Sequence, residues 1–422
     1  MKPIFYLVFL QIFLMQTPAK AETLGMVTDY HFFSKALNRE MTCRVYLPEG
    51  YDQNNPMKRY PVVYFLHGAT SGYGSYDIIY PVVDNLIAFK VIKPIILVLP
   101  DGLVPPFKGS FYTNSELYGN FEDYIANDLI SFIDSAFYTR NERGKRAIMG
   151  VSMGGYGALK MAFKHQELFI GVSGHSGPVN INLLDQLIPD LKAENGGVPP
   201  FHWEPDPDKG LTILTFSMAG AFSPNLRNSF QVDFPLDSMA VPIPDVMERW
   251  KINNICEIAK TYHPAANLGI HFDCGSLDDY YLNFQNRSLA DTLKKYNIAH
   301  EYLEYLGNHV SGLPLRVTLS FKYFDQLFQT TDSYSTALPA SSRWKVYPSP
   351  ALNSLSILND QSGFDLDKQV FQLRNSGGQC VYQTVLTEGT NRINTNDLPA
   401  GLYFYQIQCG KSIQVGKTII VH

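Results

Sequence analysis

The sequence predicts an α/β protein, a mostly parallel central sheet with helices on both faces, followed by a small all-β sandwich. Three observations predict it. From Thr42 to Gly177 short apolar runs alternate with helical patterns, the signature of β-α units feeding one parallel sheet. Residues 329–343 then form a Ser/Thr-rich stretch without periodicity, which reads as a linker. Beyond it, 344–422 carries short alternating segments between Asn, Gly and Pro turns, as expected of a small sandwich.

The elements follow in order. The N-terminus has one Lys, the apolar run Ile4 to Met15 and then Ala19-Lys20-Ala21, the pattern of a signal peptide cleaved after residue 21. A bilayer span takes about 20 apolar residues, and this run ends at Thr17-Pro18, so the chain is expected to be exported and soluble once mature. Residues 22–328 form the first domain. Pro61–Leu66, Ile95–Leu99, Ala147–Met149 and Ile170–Val172 read as buried strands, and Asn120–Phe137 has apolar residues at helical spacing. Ile270–Asp273 and Glu301–Tyr305 bracket a helix from Tyr280 to Tyr296 and close the same sheet. Between these blocks, residues 178–262 are rich in Pro, Phe and Trp with weak periodicity and read as an insertion over the sheet. Insertions of this kind commonly build pockets, which makes Trp203 a candidate substrate contact, although it equally suits the insertion's own small core.

Composition narrows the function. Hydrophobic residues make up 45% of the 422 and charged residues 17%, with a net charge of -5 and no basic cluster of note. That balance offers little attraction for nucleic acid or an anionic membrane. Cys43, Cys256, Cys274, Cys380 and Cys409 show no C-x-x-C spacing, so no metal site and no redox dithiol is expected, and nothing calls for a cofactor. Export permits disulfides, and Cys380 with Cys409 is the pair to test.

The strongest motif is Gly150-Val151-Ser152-Met153-Gly154-Gly155, between the strand Ala147–Met149 and an amphipathic helix running to about His165. A serine at a tight strand-to-helix turn needs small flanking residues and is the context of an activated nucleophile. A hydroxyl is a poor nucleophile until a base takes its proton, so a His and an orienting carboxylate must follow. Asp273-Cys274-Gly275-Ser276-Leu277-Asp278-Asp279 follows one strand and Gly307-Asn308-His309 the next. His309, in a Gly-flanked loop, is the expected base and Asp278 the expected acid, with Asp279 its main rival and Asp273 a distant third. His263, His271 and His300 lie before or within apolar segments and read as structural. The oxyanion of a tetrahedral intermediate needs N–H donors, expected from the backbone of Met153 and of Ala69, the latter in Leu66-His67-Gly68-Ala69. His67, just before Gly68, reads as a residue that shapes this loop.

These motifs, together with Phe111-Tyr112-Thr113-Asn114-Ser115 and Phe121-Glu122-Asp123-Tyr124-Ile125, resemble the esterase D-like group of α/β hydrolases. That group includes S-formylglutathione hydrolases, feruloyl and acetyl xylan esterases and enterobactin esterases, and the match covers about residues 40–328. The resemblance implies the α/β-hydrolase fold and an acyl-enzyme mechanism on Ser152, His309 and Asp278, because in the group the acid stands three residues after the Gly equivalent to Gly275. Tyr112 becomes a further candidate substrate contact. The insertion 178–262 is long for the group, so substrate choice does not carry over, and export argues against a cytosolic glutathione thioester.

Val346-Tyr347-Pro348-Ser349-Pro350-Ala351, Leu398-Pro399-Ala400-Gly401-Leu402-Tyr403 and Lys417-Thr418-Ile419-Ile420-Val421 resemble the C-terminal sorting domain of the type IX secretion system of Bacteroidetes, with Ser349 where that family usually has Asn. The expectation is a secreted or cell-surface ester hydrolase acting on acylated polysaccharide and handled by that machinery. The alternatives are an esterase for siderophore or small aliphatic esters, and a non-catalytic glycan-binding protein on the same scaffold.

Overall fold

Eight strands, β1 (Met26–Ser34), β2 (Arg39–Leu47), β3 (Val62–Leu66), β4 (Ile96–Pro100), β5 (Arg146–Val151), β6 (Gly171–His175), β7 (Gly269–Gly275) and β8 (Glu301–Tyr305), form one sheet. Its order is β1-β2-β4-β3-β5-β6-β7-β8. β1 and β2 run antiparallel to each other, and β2 to β4; all later neighbours are parallel. The computed structural model describes residues 25–262, 268–335, 344–347, 351–359, 369–375, 379–387, 389–409 and 412–421. The expected signal peptide, 1–21, and His263 lie outside them.

Strands covered on both faces read as unbroken apolar runs, and β3, β4, β5 and β6 are buried at every position. Successive side chains nevertheless go to opposite sides. Val62, Tyr64 and Leu66 join the core beneath Phe121–Ala136, Met153–Lys164 and the insertion. Val63 and Phe65 join the core beneath Ile79–Ala88 and Leu313–Ser335. The helical spacing of 120–137 is realised with a π segment, Tyr124–Leu129, between the α-helical Phe121–Asp123 and Ile130–Ala136.

Between β6 and β7 the insertion is mainly helical, with Ile188–Glu194, Gly210–Phe222, Pro244–Lys251 and Ile255–Thr261. Its apolar residues share the core of the sheet face they cover: Phe216, Phe222 and Trp250 are buried there. Weak periodicity in the sequence reflects this: Gly210–Phe222 is buried on nearly every side, so it has no polar stripe to reveal its pitch.

The chain divides into two compact units, one ending at Phe328 and the other beginning at Gln329. Leu313–Ser335 is one continuous helix, so residues 329–335 are helical and correct the expected linker of 329–343; 336–343 lie outside the described residues. The second unit holds a three-stranded sheet (Trp344–Tyr347, Ser354–Asn359, Thr390–Asn394) and a four-stranded one (Cys380–Val385, Gln369–Arg374, Gly401–Cys409, Ser412–Ile420). Every pairing in both is antiparallel. Leu355, Ile357, Phe371, Leu373 and Ile407 make its separate core. The suggested disulfide is absent: Cys380 is free. Its strand and that of Cys409 flank Gln369–Arg374, pairing with opposite ends of it, and two strand spacings exceed the reach of an S–S bond.

Candidate active site

β5 ends at Val151 and the helix Met153–Lys164 starts one residue later, with Ser152 as the turn at φ 56°, ψ -121°. A non-glycine residue there costs about 1–3 kcal/mol, and its surroundings hold it: the Ser152 N–H donates to His175 O at 2.8 Å and Ser152 O accepts from the Tyr156 N–H at 3.0 Å. The turn is possible only because its flanks are bare. A Cβ on Gly154 would collide with the carbonyl oxygen of Leu66, and one on Gly150 with that of Gly154.

The loop after β3 passes beside this turn. His67 is buried and both its nitrogens are occupied: Nδ1–H donates to Gly68 O at 2.8 Å, and Nε2 accepts the Gly102 N–H at 2.8 Å. It shapes the loop, and its ring has no free nitrogen for proton transfer. Gly68 N–H donates to Tyr76 Oη at 3.1 Å and Thr70 N–H to Lys108 O at 2.9 Å. Among the described residues no protein acceptor takes the N–H of Ala69 or of Met153, the two donors expected to face an oxyanion.

His309 lies in the loop after β8. Its Nδ1–H donates to Asp278 Oδ2 at 2.8 Å, which leaves Nε2 as the nitrogen able to take a proton. Asp278 Oδ1 accepts the N–H groups of Tyr280 at 2.9 Å and Leu282 at 3.4 Å, and the Cys274 thiol donates to Oδ2 at 3.5 Å. Burial favours the neutral acid, but the His309 contact and these N–H groups outweigh it and hold the carboxyl below its ordinary value. Asp279 has another task, accepting the His309 backbone N–H at 3.3 Å. The Tyr280 ring stands edge-on to the imidazole, 4.9 Å between centroids.

Ser152, Gly68, Ala69, Tyr280 and His309 border one cleft of about 550 Å³. No direct hydrogen bond joins Ser152 Oγ to His309 Nε2, a contact that in such sites commonly tightens only around the reacting substrate. A second cavity, apolar and narrow, opens from Ser152 and Met153. Among the described residues no group of three or more His, Cys, Asp or Glu is placed to hold a metal ion.

Tyr112 is corrected as a substrate contact, and Trp203 takes the second of its two expected places. Tyr112 is fully buried, its hydroxyl donating to His67 O at 3.1 Å and its ring filling the space beside Gly157. It braces the loop and the nucleophile helix and borders neither cavity. Trp203 stacks between Phe201 and Phe234 at 5.1 and 5.0 Å and gives its indole N–H to Asp237 O at 2.8 Å, so it packs the insertion's own aromatic cluster.

Other residues at the site escaped the sequence reading. Beneath the His309 loop, Arg316 donates from Nε to Asp273 Oδ1 at 2.9 Å, from Nη2 to Ser176 Oγ at 2.8 Å and from Nη1 to His309 O at 3.3 Å. His175 Nδ1–H donates to Asp273 Oδ2 at 2.7 Å. Burial opposes ionisation of Asp273, but His175 and Arg316 hold its carboxyl down to about 2, which makes Asp273 the anchor of this network. The signal was present in the sequence as a lone Arg within the apolar run of 313–321.

The sheet order, the serine turn at the end of β5 and the loops after β7 and β8 define the α/β-hydrolase class. Residues 34–320 match the family model described as "Putative esterase", and the chain belongs to that family. Residues 345–422 match the secretion system C-terminal sorting domain. Among curated proteins, the chain is 35% identical over 157 residues to an endo-1,4-beta-xylanase/feruloyl esterase of Xylanibacter ruminicola, covering 34% of this chain and 20% of that protein. It is 34% identical over 287 residues to an esterase of Mycobacterium tuberculosis, covering 67% of this chain and 55% of that one. The chain thus spans about a fifth to just over half the length of these relatives. A solved ferulic acid esterase superposes with a TM-score of 0.52 at 20% identity, over 73% of this chain and all of that one, a likeness of fold.

Proposed function

We propose that the chain is an exported serine carboxylic-ester hydrolase that works through an acyl-enzyme, with Ser152 as nucleophile, His309 as general base and Asp278 as its orienting acid. What carries the reading is the strained Ser152 turn bordering the same cleft as a histidine whose other nitrogen is committed to a buried carboxylate. His309 Nε2 takes the Ser152 proton as Oγ attacks the ester carbonyl, and the N–H groups of Ala69 and Met153 hold the resulting oxyanion. Collapse expels the alcohol, which leaves with the proton from His309. Water, deprotonated by the same nitrogen, then releases the acid. Asp278 keeps Nδ1 protonated throughout and stabilises the imidazolium that forms in each half-reaction.

The alcohol is a hydroxyl of a polysaccharide, a reading supported by the relative named for both xylanase and feruloyl esterase activity. Export by a signal peptide and then by type IX machinery, addressed by the C-terminal domain, brings the enzyme to a polymer too large to enter a cell. The test is hydrolysis of p-nitrophenyl acetate and acetylated xylan by the purified chain and its Ser152→Ala variant. Loss of a triad nucleophile costs on the order of a millionfold in kcat. Activity that survives the substitution overturns the reading, and binding to xylan with no turnover of any ester replaces it with the glycan-binding one.

A further inference from the structure

Two cavities open at Ser152, and they differ in what else borders them. In the proposed reaction His309 must hand its proton to the departing alcohol, so the alcohol lies on the His309 side of the serine. His309 borders only the larger cleft. The second cavity contains Ser152 and Met153 but not His309, so it takes what remains attached to the serine, the acyl group. Its wall is made by Phe111, Leu282 and, from the insertion, Ile181, Leu184, Leu187 and Met218. Besides Ser152 and Tyr280, Gln285 is the one polar side chain in this lining, and its Oε1 already accepts the Asn180 N–H, so a charged acyl group would lose its hydration without gaining a charged partner.

Size narrows the choice further. The cavity volume is about 30 Å³, far below the roughly 150 Å³ of an apolar cavity that holds a benzene ring, so an aromatic acyl group finds no room. Leu184, Leu187 and Met218 are themselves buried in the core that covers the sheet, so their side chains are packed from behind and do not simply swing aside. Leu214 and Tyr280 border both cavities and form the lip between them.

We propose that this insertion-built pocket restricts the enzyme to short aliphatic acyl groups, acetyl to butyryl, and excludes hydroxycinnamoyl groups such as feruloyl, while the open cleft admits a bulky alcohol. The inference rests on the serine esterase reading above. Its test is kcat/KM of the full chain on p-nitrophenyl acetate, butyrate and octanoate and on methyl ferulate, repeated with Leu187→Ala and Met218→Ala, each checked for folding by its thermal melting curve. The expected result is a fall of about tenfold or more from butyrate to octanoate, scaled on the discrimination of apolar pockets, negligible turnover of methyl ferulate, and a rise of about tenfold in the octanoate-to-acetate ratio in at least one folded variant. Wild-type activity on octanoate or methyl ferulate equal to that on acetate overturns the pocket assignment while leaving the esterase reading intact, and so does an unchanged ratio in both folded variants. No turnover of any ester by the wild type overturns the esterase reading and the inference with it.

Discussion

Asp278 and Asp279 are adjacent in sequence and divide their work by the atom each touches. Asp278 receives the imidazole Nδ1–H of His309 and Asp279 the backbone N–H of the same residue. Asp278→Asn keeps the shape but offers an amide in place of an anion, favouring the wrong tautomer, and should lower kcat by about four orders of magnitude, as such a change does in a Ser-His-Asp protease. Asp279→Asn retains an oxygen able to accept the N–H and should cost less than about tenfold, on the scale of one neutral hydrogen bond. Steady-state kinetics of the two variants decides it, and the reverse ranking would transfer the acid to Asp279. Residue order and turn chemistry made these loops legible, because a carboxylate and a histidine each followed a strand in the order Ser, Asp, His expected of this fold. Sequence alone put Tyr112 at the substrate and left Trp203 open between substrate and core for a physical reason: whether an aromatic ring lines a cavity or fills a core depends on partners far along the chain, Gly157 and His67 for one, Phe234 and Asp237 for the other.

At the scale of elements, the site stands on a buried polar seam where β6 and β7 meet the helix Leu313–Ser335. Ser173 Oγ joins His271 Nδ1 at 2.8 Å and Ser320 Oγ at 2.7 Å, and Ser320 Oγ meets His175 Nε2 at 3.2 Å. Burial, with the neighbouring His175, pushes His271 down to about 4. The unfolded chain takes a proton on this histidine below about 6.5, the folded chain only near 4. Between those values the unfolded state therefore binds more protons, so stability declines as pH falls through the window, by up to about 1.4 kcal/mol per pH unit. Asp273, held down to about 2, adds a further loss only below its unfolded value of about 3.9. Urea unfolding at pH 7, 6, 5 and 4.5 should show a steeper decline for the wild type than for His271→Asn, and parallel curves would remove His271 as the cause. Sequence alone revealed the strands of this seam through their apolar runs but not its polar partners, since Ser173, His175 and Ser320 each look like isolated polar interruptions until the parallel register sets Ser173 beside His271 and His175 beside Asp273 and the helix lays Ser320 against Ser173 and His175. The β1–β2 hairpin went unnamed for a related reason. β1 is mostly exposed or half-buried, with only its last residue fully buried, and gives no continuous apolar run.

For the whole molecule, the question is whether catalysis needs the C-terminal unit. Ser152, Asp278, His309, Ala69 and Met153 all belong to the unit that ends at Phe328, and the cores on both faces of its sheet are built from residues no later than Phe328. The second unit closes a core of its own around Leu355, Phe371 and Ile407, and the family it matches is named for sorting. The natural cut is not at the unit boundary, because Leu313–Ser335 runs through it and its residues Phe321, Phe324 and Phe328 are buried against the sheet. Ending the chain at Phe328 leaves the last carbonyls of that helix without their following turn, including Phe328 O, which accepts from the buried Lys145 ammonium. A chain ended after Ser335 should therefore keep kcat/KM on p-nitrophenyl acetate within about twofold of the full chain. Ended at Phe328 it should lose stability by about 1–2 kcal/mol through fraying of the last turn, a value set by one or two hydrogen bonds. In the native host, the chain ended after Ser335 should remain in the periplasm, with its activity found in cell extracts and not in the medium or on the surface. Equal secretion of the shortened and full chains would show that the address lies within residues 1–335, and a collapse of activity in the purified shortened chain would make the C-terminal unit part of the enzyme.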